Sequence, residues 1–146
     1  MTRVDFYILG DGPSGDADTV ACRLAAKAWG LGHAIFVHAL DDAHARALDE
    51  RLWTWQQGSF VPHALAAAAP ALPADVPAPV LIGSGDEPPA DHWDLLINLP
   101  PGVPAFFSRY QRVAELVARS EDARQRGRER YQFYRDRGYE LHTHHL

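Results

Sequence analysis

A chain of 146 residues, 47% hydrophobic and 23% charged, has the size and composition of one ordinary globular domain, taken here as residues 1–146. Its formal net charge of −5 argues against a general nucleic-acid binder, whose affinity comes from a positive surface that displaces phosphate counterions, so strong direct DNA binding is not expected. No stretch approaches the roughly 18 apolar residues of a membrane span, and the start M-T-R-V-D leads into a strand-like segment rather than a leader, which makes a cytoplasmic protein the expectation.

In chain order, Val4–Leu9 is short, aromatic and aliphatic, and ends at a glycine-rich turn, so it predicts a buried strand. Asp18 or Thr19 caps a helix running through Val20, Leu24 and Ala28 to Trp29, where Gly30 and Gly32 stop it. Ala34–Leu40 is a second strand, and Asp41 caps a helix carrying Ala45, Leu48, Leu52 and Trp53. This β-α-β-α order predicts an α/β domain of three layers with a mainly parallel central sheet. Residues 58–79, rich in proline and alanine, predict a long surface loop. Val80–Ile82 and Leu95–Leu99 are further strands separated by a polar turn. After Pro100, Pro101 and Pro104, the spacing of Phe106, Phe107, Tyr110, Val113 and Val117 predicts a helix. Ser120, with Glu121 and Asp122 in the first turn, opens a last helix that runs to about Arg137, with Gly138 just past its end.

Several motifs invite function, and each has a plainer explanation. Gly10–Gly15 matches G-x-G-x-x-G after a strand, the pattern of a dinucleotide site, with Asp41 or Asp42 in place of the ribose-binding acid. Yet Pro13 removes a backbone donor, and Asp11, Asp16 and Asp18 put negative charge where phosphate would sit, so an acidic turn is the better reading and a nucleotide-dependent enzyme the lesser one. His142 and His144 would share one side of an extended segment and could chelate a metal, but a frayed terminus offers no rigid third ligand, so no metal and no cofactor is expected. Cys22, alone in a helical apolar pattern, is expected to be a buried, inert thiol. The serines lack a nucleophile elbow, and the paired carboxylates fall at helix starts and exposed helix faces, so nothing demands catalysis.

Two features are less ordinary. On the last helix Arg124, Arg128, Tyr131 and Arg135 recur at helical spacing on one stripe, with Gln132 beside it. Guanidinium groups beside an aromatic wall suit an acidic peptide with a free carboxylate; the alternative is a solvated basic face. Trp53-Thr54-Trp55, followed by Phe60, Val61 and Pro62, gathers large apolar groups at a helix end and a proline-bearing edge, either as a partner surface or as ordinary core.

The blocks L-D-E-R-L-W at Leu48–Trp53, S-F-V-P-H at Ser59–His63 and R-E-R-Y-Q-F-Y-R-D-R-G-Y at Arg128–Tyr139 resemble the DNA polymerase III chi subunit family, in order and over essentially the whole chain. The resemblance implies a Rossmann-like fold without a working nucleotide site. It also implies a non-catalytic subunit that pairs one-to-one with the psi subunit of the clamp-loader complex and binds the acidic C-terminal tail of single-stranded DNA-binding protein. By position it places the tail site on Val117, Arg124, Arg128, Tyr131 and Gln132, where Gln132 and Arg124 stand in place of lysines of the best-known member. It places the psi-binding surface on Trp53, Phe60, Val61 and Pro62, a surface that some members use for a repair helicase.

Overall fold

The structure, a computed structural model, describes residues 1–10, 15–56, 61–67, 80–89 and 93–146. A seven-stranded sheet forms its middle layer: β1 (Arg3–Ile8), β2 (Ile35–His38), β3 (His63–Leu65), β4 (Val80–Gly83), β5 (Leu95–Asn98), β6 (Arg112–Val117) and β7 (Glu140–His145). Their spatial order is β3-β4-β2-β5-β6-β1-β7, and every pairing is parallel. The α/β expectation holds, and the sheet is wholly rather than mainly parallel.

Parallel strands buried on both faces read as continuous apolar runs, which is why β2, β4 and β5 were legible. Helices α1 (Ala17–Gly30) and α2 (Asp42–Thr54) cover one face. Their core joins Val20, Ala25, Leu48 and Leu52 to Val37, Ile82 and Ile97 of the sheet. Helix α3 (Glu121–Asp136) and the aromatic segment Phe106–Tyr110 cover the other face, around Phe6, Phe36, Leu96, Val113 and Tyr134. Cys22 lies in the first core, and burial pushes its thiol up to about 12, as expected of an inert side chain.

The structure corrects several expectations. The cap of α1 is Asp16, whose carboxylate accepts a hydrogen bond from Thr19 N at 2.8 Å, rather than Asp18 or Thr19. The helix expected over Phe106–Val117 is a 3-10 turn at Phe107–Arg109 followed by strand β6. The spacing of Phe106, Phe107, Tyr110 and Val113 fits a helix, but the segment divides at Tyr110 into a turn and a strand, and Glu115 of that strand points into the core with no exposed area. His63–Leu65, inside the expected loop, forms edge strand β3. The C-terminal histidines do not fray: they belong to β7, in register with β1 from Arg3↔Glu140 to Ile8↔His145.

Candidate functional site

Ser120 caps α3, its hydroxyl accepting from Ala123 N at 3.1 Å. Gly138 closes the helix at φ +78°, in the left-handed region open to glycine. What seats α3 on the sheet is a polar cluster. Glu115 Oε1 accepts from Arg130 Nε and from Asn98 Nδ2, both at 2.9 Å, and Oε2 accepts from the Tyr134 hydroxyl at 2.7 Å. Arg130 also donates to the carbonyls of Pro101 at 2.8 Å and Leu116 at 3.3 Å. Complete burial pushes the Glu115 carboxyl above its ordinary range against the opposing pull of Arg130. The Tyr134 hydroxyl is pushed up by burial first and by Glu115 second. Arg130, one arginine of the basic stretch, is thus an internal anchor only 4% exposed.

Beside this anchor the helix lies very close to β6. A Cβ built on Gly127 would meet Val117 Cγ2 at 2.9 Å, so only glycine permits the approach. The close approach leaves a cleft of about 350 Å³ between α3, β1 and β7. Its floor is Phe6, Ile8 and Val117, one wall is Arg124, Arg128 and Tyr131, and the other is Thr143 and His145. Tyr131 is held edge-on to Phe6, with ring centroids 5.4 Å apart. Arg128 touches Gln125 Oε1 at 2.8 Å and Glu121 Oε1 at 3.4 Å, both solvent-exposed contacts that leave the guanidinium accessible. The Arg124 side chain makes no hydrogen bond or ion pair among the described residues, and no acidic side chain lines the cleft there.

Four of the five residues read from sequence for one site therefore meet in one cleft. Gln132 does not: it is exposed, and its amide donates to Asp136 Oδ1 at 2.6 Å. Sequence reasoning missed Phe6, Ile8, Gly127, Thr143 and His145. The available signal was the alternation of Leu141, Thr143 and His145, a period-two pattern masked by its polarity.

The second candidate surface lies at the opposite edge of the sheet. Trp53, at the end of α2, is 55% exposed, and its ring lies tilted at 55° against that of His63, centroids 4.5 Å apart. The His63 ring nitrogens lie 2.7 Å from Val61 O and 2.8 Å from Asp49 O, which fastens β3 to α2. Val61 corrects the expectation of a contact residue, for it is 3% exposed and packs in the core, where the chain turns inward before Pro62. Pro62 is half-buried. Phe60 lies outside the described residues. Trp55 packs partly against the core, so the two tryptophans divide between interior and surface.

At the glycine-rich turn, residues 11–14 lie outside the described residues, but its surroundings are defined. The Asp16 carboxylate sits on the α1 N-terminus and 3.0 Å from Arg51, held below its usual range by the Thr19 backbone bond foremost. Asp18 bonds His44 at 2.9 Å, and a Cβ on Gly10 would meet Leu146 O at 2.6 Å. A carboxylate of the chain itself thus already occupies the α1 N-terminus, where an anion would otherwise bind. Among the described residues no cluster of three or more His, Cys, Asp or Glu is placed to hold a metal, and no helix is long and apolar enough to cross a membrane. His144 instead stacks on Tyr7 at 4.6 Å and donates to Asp5 at 2.9 Å.

Comparison with known proteins gives relatives over the whole chain. The sequence profile of the family described as DNA polymerase III chi subunit, HolC, matches residues 1–142. DNA polymerase III subunit chi of Pseudomonas aeruginosa is 46% identical over 149 residues, covering 100% of this chain and 98% of its own length. The subunits chi of Haemophilus influenzae and Escherichia coli K12 are 32% and 31% identical, covering 94% and 98% of this chain and 93% and 97% of their own lengths. Among solved structures, that of T4 UvsW superposes with a TM-score of 0.70 at 10% identity, over 99% of this chain and 41% of the longer protein, a likeness of fold.

Proposed function

The chain belongs to the DNA polymerase III chi subunit family, and from that premise we propose that it is a non-catalytic, cytoplasmic adaptor of the replicative polymerase. In this reading the α3 cleft binds the acidic C-terminal tail of single-stranded DNA-binding protein. The α2–β3 edge binds the psi subunit of the clamp-loader complex as a heterodimer, or a repair helicase on the same surface. The observation that carries the reading is the meeting of Arg124, Arg128, Tyr131 and Val117 around one open apolar hollow.

The chemistry fits a tail that ends in a phenylalanine carboxylate. The ring would lie on Val117 and Phe6 against Tyr131, a burial that contributes about 1.5–3 kcal/mol. Arg128 and Arg124 would take the terminal and flanking carboxylates, each exposed pair adding about 0.2–1 kcal/mol. These contributions make a weak, salt-sensitive contact, strengthened by avidity where the partner presents several tails. With a net charge of −5 and a single basic wall, the protein alone should not retain single-stranded DNA at physiological salt.

Calorimetry with an acidic peptide ending in phenylalanine tests the reading. Affinity should fall with added salt and by up to about fivefold in Arg128→Ala. Affinity indifferent to both changes would overturn it.

A further inference from the structure

The cleft has one wall that is also an open sheet edge. Strand β7 is the last in the sheet, paired to β1 on one side only. Leu146 N donates to Ile8 O at 2.9 Å, so by strand alternation the backbone groups of His142 and His144 also turn toward β1. Those of Leu141, Thr143 and His145 therefore turn outward, and no backbone bond among the described residues satisfies them. The side chains of these same three residues rise on the α3 face, in register with Val4, Phe6 and Ile8, and Thr143 and His145 line the cleft. One short segment thus offers a wall for a side chain and a row of free backbone donors and acceptors.

We propose that β7 is a strand-addition site, on which the residues just before the terminal one of an acidic peptide pair as an eighth strand. The inference rests on the reading of the cleft as a peptide-tail site. Edge addition supplies sequence-tolerant affinity through main-chain bonds, while the neighbouring pocket reads the end residue. The occupant is an acidic peptide because the face that carries the cleft presents Arg124 and Arg128 on α3 and His145 on the strand, with no acidic side chain lining it; His142 and His144 lie on the opposite face, against Glu140 and Asp5. Unlike the cleft, the edge asks for an extended backbone and not for particular side chains, so it would bind the portion of the tail that varies.

Amide hydrogen exchange with and without the peptide tests this. In the free protein the Thr143 and His145 amides should exchange fast and those of His142 and His144 slowly; peptide should slow the first pair. N-methylation of alternate peptide residues before the last should weaken binding by about two- to tenfold, the scale of one lost hydrogen bond, and methylation of the residues between them should not. Arg128-dependent binding that leaves the Thr143 and His145 amides unprotected would overturn strand addition while leaving the cleft intact. Protection of those amides without peptide, growing with protein concentration, would assign the edge to a second copy of this chain and overturn it too. Loss of Arg128-dependent binding altogether would fell the cleft reading and this inference with it.

Discussion

At the β7 edge, the side chains that α3 lends to the open hollow are two arginines and one tyrosine, held from beneath by a buried ionic cluster. At the β3 edge, six strand spacings of about 4.8 Å away, or about 29 Å, the exposed group is one tryptophan over a histidine that ties strand to helix. In the proposed reading the first surface attracts at a distance and reads a chain end, whereas the second relies on the exposed Trp53 as an aromatic anchor. The separation would leave both free to act at once. It also makes them separable by mutation, because residues this far apart without shared partners contribute additively.

The largest effect is expected where the first edge is built. Arg130→Ala leaves the Glu115 carboxylate buried without its cation, and should cost about 3–5 kcal/mol in urea unfolding. A loss under 1 kcal/mol would show that α3 is held by its aromatic contacts alone. Next comes the anchor of the second edge. Trp53→Ala should weaken binding of the psi or helicase partner by about 2 kcal/mol or more, as central aromatic anchors do, and leave tail-peptide affinity unchanged in calorimetry. A matching loss at both edges would mean that the two surfaces are coupled. Gly127→Ala should cost about 1–3 kcal/mol of stability, because the new methyl must push Val117 aside or lift α3. It should weaken the tail peptide while sparing the β3 edge.

The open face of β1 and β7 adds a pH test. Burial works to raise the Asp5 carboxyl, but hydrogen bonds from His144, Arg3 and Arg112 together hold it below its ordinary 3.8. A depressed carboxyl contributes stability that is present above its unfolded pKa and lost as pH falls through the folded one. Acid unfolding below pH 3.8 should therefore be steeper in the native chain than in Asp5→Asn. Equal slopes would remove Asp5 from the account. The smallest effect is expected of Gln132→Lys, which adds a cation beside the cleft and not in it. It should raise peptide affinity by about 0.2–1 kcal/mol at low salt and by nothing measurable at high salt.

The asymmetry between the edges also explains what was legible in the sequence. Apolar runs such as Leu95–Leu99, and signals such as Ser120 and Gly138, depend on neighbours along the chain, and they predicted β5 and the limits of α3 well. The arginine stripe was visible for the same reason, since helical spacing puts Arg124, Arg128 and Tyr131 side by side. Its partner wall was not, because Thr143 and His145 meet α3 only through pairing of β7 with β1, about 140 residues earlier in the chain. Arg130 misled too: it stands in a basic stretch that reads as surface, and it is buried against Glu115. Val61 looked like an exposed edge residue, and tertiary packing turned it inward.

The central claim is that the α3 cleft grips a free chain end. The most direct measurement is a nuclear magnetic resonance titration comparing an acidic peptide ending in a phenylalanine carboxylate with the same peptide amidated at its terminus. The account predicts shifts at Val117, Gly127, Tyr131 and Thr143 and affinity weaker for the amide by up to about fivefold, the 0.2–1 kcal/mol of an exposed ion pair. Equal affinity of the two peptides, or shifts centred on Trp53 and Pro62, would contradict it.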